Sequence, residues 1–267
     1  MIDIINNCTI NCLGENFMEY IVFDLEFNQG FDRKLNKTVS NEQCPFEIVQ
    51  IGAVKLNSHL DIIDTFNTFI KPHIYTEVHP FIKKMTNIAN EDVKNAPTFP
   101  EAFSLFKTFM GHEKNILCVW GNGDLKELYR NIKYYDLSTF NLPNTYINVQ
   151  HHASMYFNNP TGKSIGLQNA ITLLDLNQDK SYHNALNDAY YTSLVFKNIF
   201  NDKIKTKKYN FDGEVKKKSV AKTKVNYDNV FNDFKRILNR DLTKQEKKII
   251  HLAYKMGRKS VSSKEKK

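Results

Sequence analysis

The run Tyr20–Phe27, YIVFDLEF, constrains this chain more than any other stretch. It is rich in β-branched and aromatic residues, as strands are, yet carries acids at alternate positions. In a strand, Asp24 and Glu26 leave one face while Phe23, Leu25 and Phe27 leave the other. Two carboxylates so close repel unless a cation lies between them, and hard divalent cations prefer oxygen ligands. Taken alone, the pair also fits an ordinary solvated face.

Two further strand-like runs follow, Glu47–Leu56 (EIVQIGAVKL) and Ile62–Ile70 (IIDTFNTFI), separated by the short polar turn at Asn57-Ser58. That layout predicts an antiparallel meander. The pattern then changes to alternation. Apolar residues recur at helical spacing over Phe99–Met110, Ile116–Trp120 reads as a buried strand, and Asp124–Ile132 reads as a helix. Tyr146–Val149 gives a short strand, and Ile165–Leu174 and Asn184–Phe200 give two more helices. Antiparallel strands first and β-α alternation afterwards describe an α/β fold, a mixed five-stranded sheet covered by helices.

The charge is distributed unevenly. Residues 201–267 hold 21 of the 37 Lys and Arg and 8 of the 29 Asp and Glu, a local balance of +13, whereas residues 1–200 balance at −5. A basic tail on an acidic body suits a nucleic-acid partner, and it equally suits a solvated tail without function. We expect a basic linker at 203–224 and a small basic helical extension at 225–267. There Val230–Leu238 and Lys244–Met256 have helical spacing, and Thr243-x-x-Glu246 forms a capping box. The main domain is expected at 18–202.

Residues 1–17 have no clear pattern. Gly14-Glu15 can be encoded by GGAGAA, a purine run at the distance of a bacterial ribosome-binding site from the Met18 codon, so Met18 is expected to be the biological start. Cys8, Cys12, Cys44 and Cys118 lack paired CxxC spacing and are expected to be reduced thiols. No apolar run approaches the roughly 20 residues needed to cross a bilayer, and a cytoplasmic location without membrane contact is expected.

Two more elements carry chemistry. Trp120-Gly-Asn-Gly-Asp124 joins a buried strand to a helix, the place where open sheets bind ligands, although Asp124 could serve only as a helix cap. In Tyr182-His-Asn-Ala-Leu-Asn-Asp188, His183 precedes a helix and Asp188 lies more than a turn inside it. Histidine exchanges protons near neutrality, and an acid on the adjacent helix can complete a metal site. His151 and His152 are read as surface residues at a helix start, Trp120 as core, and the tyrosines as packing or surface residues.

Together these residues make an ordered set: DxE on a first strand, Asp after a later strand, then His-x4-Asp at a final helix. The order and spacing resemble the DEDDh 3′-5′ exonucleases, the superfamily of RNase T and the proofreading subunit of bacterial DNA polymerase III. FDLEFN at 23–28 and EIVQIGAVKL at 47–56 look most like its sporulation-inhibitor-like branch. The resemblance covers roughly Glu19–Phe200. It extends to His79–Val93, where Thr86-Asn87-Ile88 stands for the family's Thr-Gly-Ile turn, and to Lys163–Leu174. Asn87 in place of glycine, and Gln50 where many relatives have an acid, are the departures.

The resemblance implies an RNase H-like fold and hydrolysis assisted by two Mg2+ or Mn2+ ions, releasing nucleoside 5′-monophosphates from single-stranded RNA or DNA 3′ ends. Asp24 would bridge both ions. Glu26 and Asp188 would hold the ion that activates water, Asp124 would support the second through water, and His183 would be the general base. Leu25, Phe27, Met85 and Thr86 would grip the terminal nucleotide, although Phe27 and Met85 fit a purely structural role equally well. A non-catalytic binding protein, or one docked to a polymerase through its C-terminal helices, is the alternative. Many relatives form homodimers, but nothing in the sequence requires it.

Overall fold

The computed structural model describes residues 18–160, 163–210 and 227–262. The chain divides near residue 211 into two compact units. The first unit begins with β1 (Tyr20–Asn28), the short hairpin β2 (Gly30–Asp32) and β3 (Lys37–Val39), then β4 (Glu47–Leu56) and β5 (Ile62–Phe69). Helices α1 (Pro80–Thr86), α2 (Asn90–Lys94) and α3 (Phe99–Met110) follow, and then β6 (Ile116–Val119), α4 (Gly123–Tyr134), β7 (Thr145–Asn148) and α5 (Val149–Tyr156). Helices α6 (Leu167–Leu173) and α7 (Ala185–Ile199) precede β8 (Lys207–Lys208).

The main sheet runs β5-β4-β1-β6-β7-β8. The first three strands pair antiparallel, and β6 and β7 join β1 in parallel, as the change of pattern along the chain predicts. All four residues of β6, ILCV, are buried, the continuous apolar run expected of a strand covered on both faces.

The period of two in β1 divides the core. Ile21, Phe23 and Leu25 pack with Phe103, Phe106, Leu125 and Leu128 beneath α3 and α4. Tyr20 and Val22 pack with Tyr191, Val195 and Phe196 of α7 on the other face. Asp24 and Glu26 continue that second face toward the carboxyl end of the strand. Apolar contact therefore anchors α7 at one end of β1 and leaves the acids beneath its first turn.

The sheet has six strands where five were expected. The sixth comes from the lysine-rich stretch read as linker, because composition conceals an edge strand whose side chains point to solvent. Tyr209 fixes it there: its ring stacks on Tyr129 with centroids 4.8 Å apart, and its N–H donates to the Asn144 carbonyl at 2.7 Å. The β2–β3 hairpin also had no sequence signal strong enough to predict it.

The second unit contains α8 (Tyr227–Leu238) and α9 (Lys244–Ser262). The predicted capping box is present, with Thr243 N–H donating to Glu246 Oε2 at 2.8 Å and Glu246 N–H to Thr243 Oγ1 at 3.2 Å. Arg240 grips the same carboxylate with both guanidinium branches. The expectations for residues 1–17, including Cys8 and Cys12, and for the linker beyond residue 210 lie outside the described residues. Cys44 and Cys118 are buried free thiols. No helix among the described residues is long and apolar enough to cross a membrane.

Candidate active site

Asp24 sits opposite Gly52 in the β1–β4 ladder, and Glu26 sits opposite Gln50. After Glu26 the register shifts: Phe27 pairs with Ile48, which leaves Val49 as the extra residue of a bulge. Bulges strengthen local twist and re-aim side chains, and they concentrate beside active sites. Here the bulge falls directly after the second acid.

Helix α7 lies over this end of β4. An ideal Cβ on Gly52 would overlap the backbone of Ala185 and Leu186, so only glycine permits this approach. Asn184 is the N-cap, its side chain accepting from Asn187 N–H at 3.3 Å. Asp188 therefore falls in the first helical turn, nearer the N-terminus than the sequence pattern predicts. The partial positive charge of that terminus favours an acid there.

The result is a cluster in which oxygens of Asp24, Glu26 and Asp188 all lie within 4.8 Å of one another. Asp24 and Asp188 are partly accessible, and Glu26 is buried. Asp124 enters from α4, after Gly121 turns the chain at φ 94° and Asn122 caps the helix. Its carboxyl is buried inside the first turn of α4, not at the cap position that was the alternative reading. The turn is tied to the end of β7 by Asn148 Nδ2, which donates to Asn122 Oδ1 at 3.0 Å.

Electrostatics make the cluster cation-seeking. Burial, then the neighbouring Asp124, Asp188 and Glu26, hold the Asp24 carboxyl well above the ordinary aspartate range. Glu26 is raised to about 8 by burial and by Asp188 and Asp124. Asp124 is raised to about 7, chiefly by burial, with Asp188 and Glu127 adding to it. Asp188 reaches about 6 through burial, offset by the His183 N–H and by the charge of His183. Without positive charge between them, these groups hold protons that aspartate and glutamate normally give up.

Asp188 Oδ2 accepts the backbone N–H of His183 at 3.0 Å, whereas its buried Oδ1 has no hydrogen-bond partner. A buried carboxylate oxygen without a donor is costly, and a divalent ion is the ligand that suits it. The donor set is all oxygen, which matches Mg2+ or Mn2+ better than softer metals.

His183 is exposed and adopts a left-handed backbone at φ 61°. Its loop is clipped to α7 farther along. Lys180 N–H donates to Tyr191 Oη at 2.7 Å, and the Tyr191 hydroxyl donates back to the Lys180 carbonyl at 2.9 Å. Asn187 Nδ2 also donates to the Ser181 carbonyl at 2.9 Å. Tyr191, read from sequence as a packing or surface residue, is fully buried and pins the loop that carries His183.

The four residues expected to grip a nucleotide differ in what they present. Leu25 is in the core, and Phe27 is half-buried with its ring edge-on to Phe46 at 6.2 Å. Met85 is exposed. Thr86 is buried, its hydroxyl donating to the Ile82 carbonyl and accepting from Ile88 N–H. Asn87 closes α1 at φ 61°, the left-handed position that glycine occupies most easily and asparagine tolerates. The sequence departure at 87 thus leaves the turn intact.

His151 and His152 lie on α5, as expected of residues at a helix start. The residues that sequence reasoning did not single out for the site are Gly52 and Tyr191. Their significance is visible only when α7 is laid on the sheet.

Comparison with known proteins agrees with this architecture. The model of the RNase_T exonuclease family matches residues 21–196. A DNA polymerase III of PolC type from Caldanaerobacter subterraneus is 36% identical over 91 residues, 34% of this chain and 6% of that protein. Human 3′-5′ exoribonuclease 1 is 39% identical over 56 residues, 21% of this chain and 16% of that protein. The matched stretches are thus a small part of both relatives. Among solved structures, the nuclease domain of 3′hExo, a DEDDh family member bound to rAMP, superposes with a TM-score of 0.61. It is 21% identical, and the match covers 73% of this chain and 99% of that one. The cell-death related nuclease CRN-4 superposes with a TM-score of 0.58 at 19% identity, covering 71% and 66% of the two chains. With the family model covering residues 21–196, from β1 into α7, the chain belongs to the RNase_T exonuclease family and has the RNase H-like fold of the DEDDh 3′-exonucleases.

Proposed function

We propose that this nuclease is a divalent-metal-dependent 3′-to-5′ exonuclease that removes nucleoside 5′-monophosphates one at a time from single-stranded ends. The observation that carries this reading is the partnerless buried Oδ1 of Asp188, held in a cluster with Asp24 and Glu26 whose oxygens lie within 4.8 Å of one another.

Asp24, Glu26 and Asp188 would hold the ions, and the charges of Asp124, Asp188 and Glu26 all act on Asp24. Asp124, whose charge acts on Asp24, would help to hold a second ion. When bound, Mg2+ or Mn2+ supplies positive charge for the attacking and leaving oxygens of an in-line displacement. His183 would be the general base; its exposure and the bond from its backbone N–H to Asp188 support this reading. It would take the proton of the attacking water. Phe27 and the exposed Met85 offer apolar surface to a terminal base, and Leu25 and Thr86 offer backbone groups. Stacking of this kind does not read sequence.

The basic second unit and the stretch before it would raise the local concentration of substrate. Such an effect weakens steeply with salt.

The test is degradation of 5′-labelled single-stranded RNA and DNA with Mg2+ or Mn2+, beside EDTA controls and Asp24→Ala protein. A ladder shortening from the 3′ end, absent with EDTA and in the variant, is the expected result. Tight binding of both strands without cleavage would overturn the enzymatic reading in favour of a scaffold.

A further inference from the structure

We propose that Gln50 is a positioning residue that sets the seat of α7, and through it the place of Asp188 in the cluster. This rests on the reading of Asp24, Glu26 and Asp188 as metal ligands.

Gln50 is fully buried on β4, opposite Glu26 and two residues before the glycine that α7 crosses. Its Nε2 donates to Asn67 Oδ1 on β5 at 2.9 Å, and its Oε1 accepts the backbone N–H of Ala185 at 3.3 Å. Ala185 is the first residue of α7, and its N–H is one of the donors a helix leaves without an internal partner. In most helices a cap or water meets that donor. Here a side chain from the sheet meets it, three residues before Asp188.

The amide orientation follows from its two partners. Turned over, Nε2 would face another donor at Ala185, so that backbone N–H fixes the acceptor toward the helix while Asn67 Oδ1 holds the other end of the amide. Gly52 sets how near the helix comes, and Gln50 sets where its first turn stops along the strand. An apolar residue at 50 would leave the Ala185 N–H unpaired in a dry interface, and the first turn would shift to find a partner. A neutral amide also accepts this bond without adding another negative charge opposite Glu26.

The experiment compares wild type, Q50L, Q50E and N67A by Mn2+ calorimetry, hydrogen exchange at Ala185 and single-turnover cleavage. Q50L should weaken Mn2+ binding roughly tenfold, the size of effect usual for losing an outer-shell partner. It should also speed exchange at Ala185, and lower kcat with KM for the oligonucleotide little changed. Q50E retains an acceptor and should restore protection at Ala185, a readout that added charge by itself does not move. If Q50L fails to fold, N67A, which removes the acceptor that tethers the far end of the amide, should loosen Ala185 and weaken Mn2+ in the same direction. Unchanged Mn2+ affinity in Q50L or N67A, or Q50E no better protected than Q50L, would overturn the proposal. Wild type that binds no Mn2+ would overturn the metal reading as well, which separates the two failures.

Discussion

Gly52 lies directly across the ladder from Asp24, and the backbone of Leu186 occupies the space where a side chain at 52 would be. The strand residue beside Asp24 and the helix that carries Asp188 are therefore separated by one missing methyl group. Substituting Gly52→Ala should lift the first turn of α7. We expect a loss of at least about 1–3 kcal/mol of stability, the usual range for overpacking a rigid contact. Activity should fall further than stability explains, which denaturant unfolding beside cleavage rates would reveal. An alanine variant with normal stability would show that α7 can yield.

Replacing Asp188 by asparagine keeps an acceptor for the His183 N–H and removes one charge from a crowded cluster. On the proposed reading a metal ligand itself is lost, so cleavage should drop by more than the roughly 10–100-fold typical of losing an outer-shell partner. The metal-free protein should melt higher than wild type, since repulsion with Asp24 and Glu26 is relieved. Melting curves with and without Mg2+ check both statements, and the stabilisation by Mg2+ expected of wild type should shrink.

The acids also set a pH dependence for the metal-free protein. Glu26 is raised from 4.5 to about 8, Asp124 from 3.8 to about 7 and Asp188 from 3.8 to about 6. A group whose folded pKa is raised favours the folded state below its unfolded pKa and loses that contribution as pH climbs through the folded value. In EDTA, stability should therefore decline between about pH 4 and 8, and saturating Mg2+ should oppose the decline at the alkaline end. A melting temperature in EDTA that is flat across this window would contradict the electrostatic account.

Removing the imidazole with His183→Ala leaves the backbone N–H on Asp188 in place. A general base contributes about 10²–10⁴-fold, so if His183 has the proposed role kcat should fall within that range while Mn2+ affinity stays near wild type. Calorimetry and single-turnover cleavage distinguish this from a ligand variant, in which both quantities fall.

Much of this was legible in the sequence, for identifiable reasons. The alternation in YIVFDLEF assigned Asp24 and Glu26 to one face, and the change from meander to β-α alternation described the mixed sheet. Local periodicity carries such information. The closeness of Asp188 to Asp24 spans more than 160 residues and came only through the ordered motif set. Gly52 and Tyr191 were hidden, because a glycine in a strand or a tyrosine in a helix gains its meaning from what packs against it. The sixth strand was hidden by its lysines, which suit an exposed edge as well as a linker.

The clip between Tyr191 and Lys180 makes α7 a lever with two loads. Asp188 rides on its first turn, and the loop bearing His183 is fastened to its second, so a tilt of this one helix displaces the proposed cation ligand and the proposed proton acceptor together. Misalignment of the two relative to each other is suppressed, at the cost of exposing both to any disturbance of a single element. Damage that unseats α7 should therefore abolish turnover outright instead of leaving a partly working nuclease.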